Sequence, residues 1–241
     1  MIINLKLYFY NKMLKKTKKI PNINARDFGT ILNINPYQNS YQLLEDKIEK
    51  KYPFFGNKFT EHGLKYEKSA IKVYENFTGN IVDSDQTNIK HPEYEWITGR
   101  VDGIVEYESK SKIKKRKRDT YENDNIKNLV VEIKCPLKDD RTIPLTEENM
   151  PKYYWAQCQV YMNMLDCDLC DYVEYYIDPD CNDDLSGSLH YIRIKRDINW
   201  WNESLPKIIL FREELEKYHN LGSLETHPVR IEENKWKELF M

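Results

Sequence analysis

The sequence predicts an α/β fold in which a mixed central β-sheet is flanked by helices. Three observations carry that prediction. Trp96–Tyr107 and Leu129–Cys135 are rich in β-branched and aromatic residues and read as strands. Residues 61–78 and 152–166 repeat apolar side chains at helical spacing. Residues 171–177 and 189–195 read as a strand pair closing the sheet. Because strand and helix patterns alternate, and 241 residues suffice for one sizeable core, a single domain over 1–241 is expected.

The elements follow in chain order. A lysine-rich start, residues 1–20, holds five lysines between Lys12 and Lys19 and no acid among them. Short helices are expected at about 25–33 and 41–51. The helix over 61–78 has Leu64, Ile71 and Tyr74 as its apolar stripe and is ended by Gly79. Strands at about 80–83, 95–107 and 129–135 build the sheet, with residues 108–127 as a solvated basic insertion. The helix over 152–166, with Tyr153, Val160 and Met164 in line, packs across the sheet. A last helix near 200–218 closes the fold, with Gly222 near its end.

Candidate chemistry sits on the strands. Side chains two apart share a face, so Glu132 and Lys134 point one way while Val131 and Ile133 point the other. If the strands pair, Asp102 of Gly99-Arg100-Val101-Asp102-Gly103 joins them. Glu-x-Lys on a wet strand face is equally an ordinary solvated pair, so it is a weak signal alone. Glu67 within one helical stripe and Gln157 within the other raise its weight. A carboxylate or amide on a buried face needs a compensating charge, metal or hydrogen bond.

At these residues the chain resembles the PD-(D/E)xK nucleases, and more closely the lambda exonuclease and YqaJ-type viral recombinase nucleases, from about residue 18 to 200. The resemblance rests on Asn24-Ala25-Arg26-Asp27-Phe28 with Asn35-Pro36-Tyr37, and on His62-Gly63-Leu64-Lys65-Tyr66-Glu67. It continues through Asp102-Gly103, Glu132-Ile133-Lys134-Cys135-Pro136, Ala156-Gln157-Cys158-Gln159, and Tyr176-Ile177-Asp178-Pro179 followed by Leu189-His190-Tyr191-Ile192. Thirty positions separate Asp102 from Glu132, more than a tight hairpin needs, which marks the insertion.

The resemblance implies a PD-(D/E)xK core and hydrolysis of DNA phosphodiesters from a duplex end. Asp102, Glu132 and the backbone carbonyl of Ile133 would offer oxygens to Mg²⁺ or Mn²⁺, with Glu67 as a further carboxylate. Lys134 would orient or deprotonate the attacking water, and Gln157 would hold that lysine or water in register. Arg26, Lys19, Arg100 and Arg141 are the candidates for gripping a terminal 5′-phosphate. Arg26 stands where relatives carry a small hydroxyl residue. Implied partners are double-stranded DNA ends and a single-strand annealing protein in viral or phage recombination or replication. Some relatives are ring-shaped homo-oligomers and others are not. A structure-selective endonuclease and an inactive DNA-binding scaffold are the alternatives.

Composition bounds the rest. The formal charge of −2 excludes a global basic field, so nucleic-acid contacts must come from clusters. Lys110 to Arg118 holds seven basic residues and no acid, which also fits a nuclear-localisation run. No apolar run approaches spanning length, and the first residues are too interrupted for a secretory segment, so a soluble intracellular protein is expected, with no membrane partner. Five cysteines fit a reducing compartment. Cys167-Asp-Leu-Cys170 with Cys181 and His190 suggests zinc, against which stands the lack of a second short ligand cluster.

Overall fold

The computed structural model describes residues 19–50, 56–85, 88–106, 128–137, 143–178 and 180–240. The basic insertion, Arg141 and all but Lys19 of the first lysine cluster lie outside the described residues.

The elements are β1 (Ile23–Asn24), a 3₁₀ turn (Ala25–Asp27), α1 (Phe28–Ile31), α2 (Ser40–Glu49), α3 (Lys58–Thr78), β2 (Ile89–Lys90) and β3 (Ile97–Gly99). There follow β4 (Gly103–Glu106), β5 (Asn128–Lys134), α4 (Lys152–Met164), β6 (Leu169–Tyr176), β7 (Ser188–Lys195), α5 (Ile198–Leu221) and α6 (Pro228–Phe240). They form a mixed α/β fold with two sheets. The larger has the order β4-β5-β6-β7 and the smaller β1-β3-β2. In the larger sheet β5 runs parallel to β6 through the α4 crossover, while β4 and β7 are antiparallel to their neighbours.

The expected strand 95–107 is therefore two strands. Arg100–Asp102 step the chain from one sheet to the other, with Val101 buried in the core between them. Close approach explains the two glycines that bracket the step. A Cβ at Gly99 would lie 2.5 Å from the Tyr161 ring, and one at Gly103 would lie 2.2 Å from Val82 Cγ1. The expected strand at 80–83 reduces to a single bridge, Asp83 to Ile104.

β5 divides the core. Leu129, Val131 and Ile133 face α3, packing with Tyr66, Ala70, Ile71 and Tyr74. Val130 faces the other way, into the cluster holding Cys158, Val160 and Tyr161 of α4. The strand is buried on both sides, as a parallel neighbour requires, and its near-continuous apolar run follows from that.

Local chemistry sets the helix ends. The Asn57 side chain accepts from the N–H groups of Phe59 and Thr60, and Gly79 closes α3 at φ 74°. The buried stripe of α3 is His62, Tyr66, Ala70, Ile71 and Tyr74, so Ile71 and Tyr74 are buried as expected, whereas Leu64 is 67% exposed. His62 lies within the helix and is buried. Asn39 and Gln42 form a reciprocal capping box on α2. α5 begins at Asp197, which accepts from Trp200 N–H, and ends at Gly222 in the left-handed region.

α6 was not anticipated, although Pro228 at its first position is a start signal. Its Arg230 ties back to α2 through Glu45 at 2.8 Å and Glu49 at 3.0 Å. Among the described residues no helix is long and apolar enough to cross a membrane. Cys167 and Cys170 are buried in the α4-side cluster, while Cys181 packs at the fringe of the α3-side cluster. The sheet separates these thiols, which removes the basis for the zinc reading.

Candidate active site

The antiparallel pairing of β4 with β5 sets Gly103 opposite Val131, and one step further brings Asp102 opposite Glu132. β4 ends there, so the next N–H on β5 has no strand partner. Asp102 supplies it: Ile133 N–H donates to Asp102 Oδ2 at 2.7 Å. That bond fixes the aspartate against the strand that carries Glu132 and Lys134.

Glu132 is 1% exposed, and Lys134 Nζ donates to its Oε1. Gln157 of α4 donates to the same oxygen at 2.7 Å. Oε2 is buried and has no hydrogen-bond partner among the described residues. A buried carboxylate oxygen left without a donor is costly unless a cation meets it. Burial raises the Glu132 pKa, and the nearby Asp102 raises it further, against the opposing effect of Lys134. For Lys134, burial disfavours the ammonium, but the Glu132 and Asp102 carboxylates outweigh it and hold its pKa above the ordinary lysine value. Lys134 also sits 4.7 Å from the centroid of the Tyr154 ring, whose π-face favours the cation.

Glu67 arrives from α3. Its carboxyl is pushed upward by burial and by Asp102, against a weaker pull from Arg100. Arg100 Nη2 stands 3.8 Å from Glu67 Oε1 and its side chain is 61% exposed, so the contact is loose and the guanidinium faces outward. Asp102, Glu132, Lys134, Glu67 and Gln157 thus gather at the C-terminal end of β5, where the two faces of the sheet meet.

The structure adds two residues that the motifs did not single out. Tyr161 accepts from Gln157 at 3.1 Å and donates to the Arg100 carbonyl at 2.8 Å, tying α4 to the Arg100–Asp102 step. Tyr154 underlies Lys134. Both lie one helical turn from Gln157 or nearly so, a spacing that would have found them. Gln157 contacts Glu132 rather than Lys134, so the expected register role falls on the carboxylate. Gln159 belongs to the scaffold, donating to the Lys195 carbonyl at 2.9 Å and accepting from Asp197 N–H at 2.7 Å.

The candidate phosphate residues divide. β1 runs parallel to β3 with Asn24 opposite Thr98, so Arg26 and Arg100 both leave their strands at the same end. The Asn24 and Asp27 side chains form a capping box that rigidifies this corner, and Lys47 pairs with Asp27 at 2.7 Å. Lys19 is exposed at the start of the described chain.

The donor set suits a hard divalent cation, because all its side-chain ligands are carboxylate oxygens and one is buried without a partner. Among the described residues no three His, Cys, Asp or Glu side chains gather closely enough to enclose an ion. A cation here would be held by few carboxylates and would keep waters, as Mg²⁺ does.

Comparisons with known proteins bear on the fold and the family. The structure resembles an alkaline exonuclease (LHK-Exo) from Laribacter hongkongensis with a TM-score of 0.59 and 21% identity, covering 84% of this chain and 92% of that one. It also resembles a phage-related exonuclease from Haemophilus somnus 129PT with a TM-score of 0.54 and 19% identity, covering 83% of this chain and 94% of that one. These likenesses place the fold in the PD-(D/E)xK type. An uncharacterized protein, R354, from Acanthamoeba polyphaga mimivirus is 25% identical over 163 residues, which is 67% of this chain. The match spans 28% of that relative's length. A model of the YqaJ-like viral recombinase domain matches residues 14–168, well over half of the chain, and the chain belongs to that family.

Proposed function

We propose that the protein is a metal-dependent DNA exonuclease that hydrolyses phosphodiester bonds from the 5′ ends of linear duplex DNA. The observation that carries this reading is the convergence of Asp102, Glu132 and Lys134 around a buried carboxylate oxygen with no partner. The exonuclease neighbours in fold support it, as does the family.

Asp102, Glu132 and the Ile133 carbonyl would hold Mg²⁺ or Mn²⁺ together with waters, with Glu67 as a further carboxylate nearby; when bound, the ion would neutralise phosphate charge and acidify water. Lys134 orients or deprotonates the attacking water and stabilises charge developing on the phosphate. Gln157 holds the Glu132 carboxylate in place, and Tyr161 holds Gln157. Arg26 and Arg100 grip the terminal phosphate through guanidinium hydrogen bonds, with Lys19 adding charge.

An inactive scaffold is disfavoured by the intact Asp102, Glu132 and Lys134 set. The test is digestion of linear duplexes bearing 5′-phosphate or 5′-hydroxyl ends. Mononucleotide release in Mg²⁺, faster from the phosphorylated end, supports the reading. No release from either end with Mg²⁺ or Mn²⁺ contradicts it.

A further inference from the structure

We infer that Tyr37, Tyr153 and Tyr154 form a stacking platform for an unpaired base of the strand whose phosphate lies at Lys134. The inference rests on the DNA-hydrolase reading above and adds a base-binding subsite to it.

Tyr37 is 80% exposed, but it is not a loose surface residue. Its ring meets Tyr153 edge-on, with centroids 6.0 Å apart at 84°. Tyr153 meets Tyr154 with centroids 4.3 Å apart, and the Tyr154 ring carries the Lys134 ammonium. The three rings therefore make one continuous aromatic path from solvent to the proposed catalytic lysine.

The path is held rigidly. A Cβ at Gly29 would lie 2.6 Å from Tyr153 Cβ, so the α1 backbone is pressed against α4 where the middle ring is rooted. The turn after α1 is fixed by Ile34 and Asn35 N–H groups donating to the Gly29 carbonyl, at 2.9 and 3.0 Å. Asn35 Nδ2 donates to Thr30 at 2.8 Å, and Asn35 Oδ1 accepts from Tyr37 N–H at 3.0 Å. The outermost ring is thus presented before any ligand binds, which lowers the ordering cost of association.

A single exposed tyrosine needs no explanation. Three touching rings that end on a cation beside two carboxylates do, and the chemistry selects the occupant. A nucleotide offers a π-face for the rings and a phosphate for Lys134, Arg26 and Arg100, in adjacent positions of one chain. An apolar peptide would satisfy the rings and leave the charges unmatched. Base-on-ring stacking tolerates any base, because every base has a π-face.

The experiment places the fluorescent base 2-aminopurine at or next to the 5′ end of a duplex with a frayed terminus. Binding is measured in Lys134→Ala, which prevents digestion, with Tyr37→Ala or Tyr37→Phe added. Stacking should quench the probe in the Lys134→Ala protein. Tyr37→Ala should relieve the quenching and weaken binding about tenfold, within the range one stacked base supplies. Tyr37→Phe should match the parent, because the ring and not the hydroxyl does the stacking. Equal affinity and quenching with Tyr37→Ala, while the unmodified protein still digests DNA, overturns the platform and leaves the nuclease reading intact. A protein that neither binds nor cuts DNA overturns both.

Discussion

Gln157 offers the sharpest perturbation of the site, because its amide does two measurable things at once. Its Nε2 donates to Glu132 at 2.7 Å and to Tyr161 at 3.1 Å, both in the interior. Gln157→Ala leaves Glu132 Oε1 with Lys134 alone. A hydrogen bond to a charged group contributes about 1.5–3 kcal/mol. At about 2–4 °C per kcal/mol for a chain of this size, the melting temperature should fall by about 3–12 °C. Releasing the carboxylate from its orienting donor should also cut DNA hydrolysis by about 10–100-fold, the usual effect of losing a group that holds a ligand. Gln157→Glu separates packing from donation, since it keeps the volume but sets a second carboxylate against Glu132. It should be at least as inactive as Gln157→Ala. The assay is a melt without divalent metal alongside steady-state nucleotide release. A Gln157→Glu protein with parental melting and turnover would refute the assigned role.

Further outcomes follow from the same geometry. Mg²⁺ at a hundred times its dissociation constant should stabilise the protein by about 2.7 kcal/mol, or roughly 5–10 °C, and Glu132→Ala should abolish that shift in a thermal melt. Arg100→Ala should erase any preference for 5′-phosphate over 5′-hydroxyl ends while preserving turnover at saturating DNA; a retained preference would move the phosphate pocket elsewhere. Burial lowers the pKa of His91, whose Nδ1 accepts from the N–H groups of Glu93 and Tyr94 while the ring stacks on Trp201. The folded state therefore binds the proton less readily than the unfolded chain. The stabilisation is present above the ordinary histidine pKa and lost as pH falls below it, by up to about 1.4 kcal/mol per pH unit. His91→Asn should melt lower than the parent at pH 8 but lose less between pH 7 and pH 5; identical slopes would exclude the histidine.

The residues that carry the proposed chemistry were legible because their signals are local. Two-residue periodicity put Glu132 and Lys134 on one face of β5, and the alternation of strand and helix patterns gave the α/β class. Helix ends at Gly79 and Gly222 were legible for the same reason. Elements decided by tertiary contact were not. The break between β3 and β4 depends on Tyr161 and Val82 pressing against Gly99 and Gly103, partners distant in sequence. Ile71 and Tyr74 of the α3 stripe were legible, but Leu64 fits the same spacing and among the described residues stays exposed, while Tyr66 and Ala70 meet β5. Strands of two residues, β1 and β2, are too short for any periodicity to register. Gln157 was legible as a candidate site residue, but its partner is fixed by how α4 lies across β5.

The decisive experiment is digestion of linear and covalently closed duplex DNA in Mg²⁺ by the parent protein and by Lys134→Ala. The parent should degrade linear DNA, leave the closed circle intact, and lose several orders of magnitude in rate on the substitution. Cutting of the circle would contradict the exonuclease assignment, and undiminished digestion by Lys134→Ala would contradict the site itself.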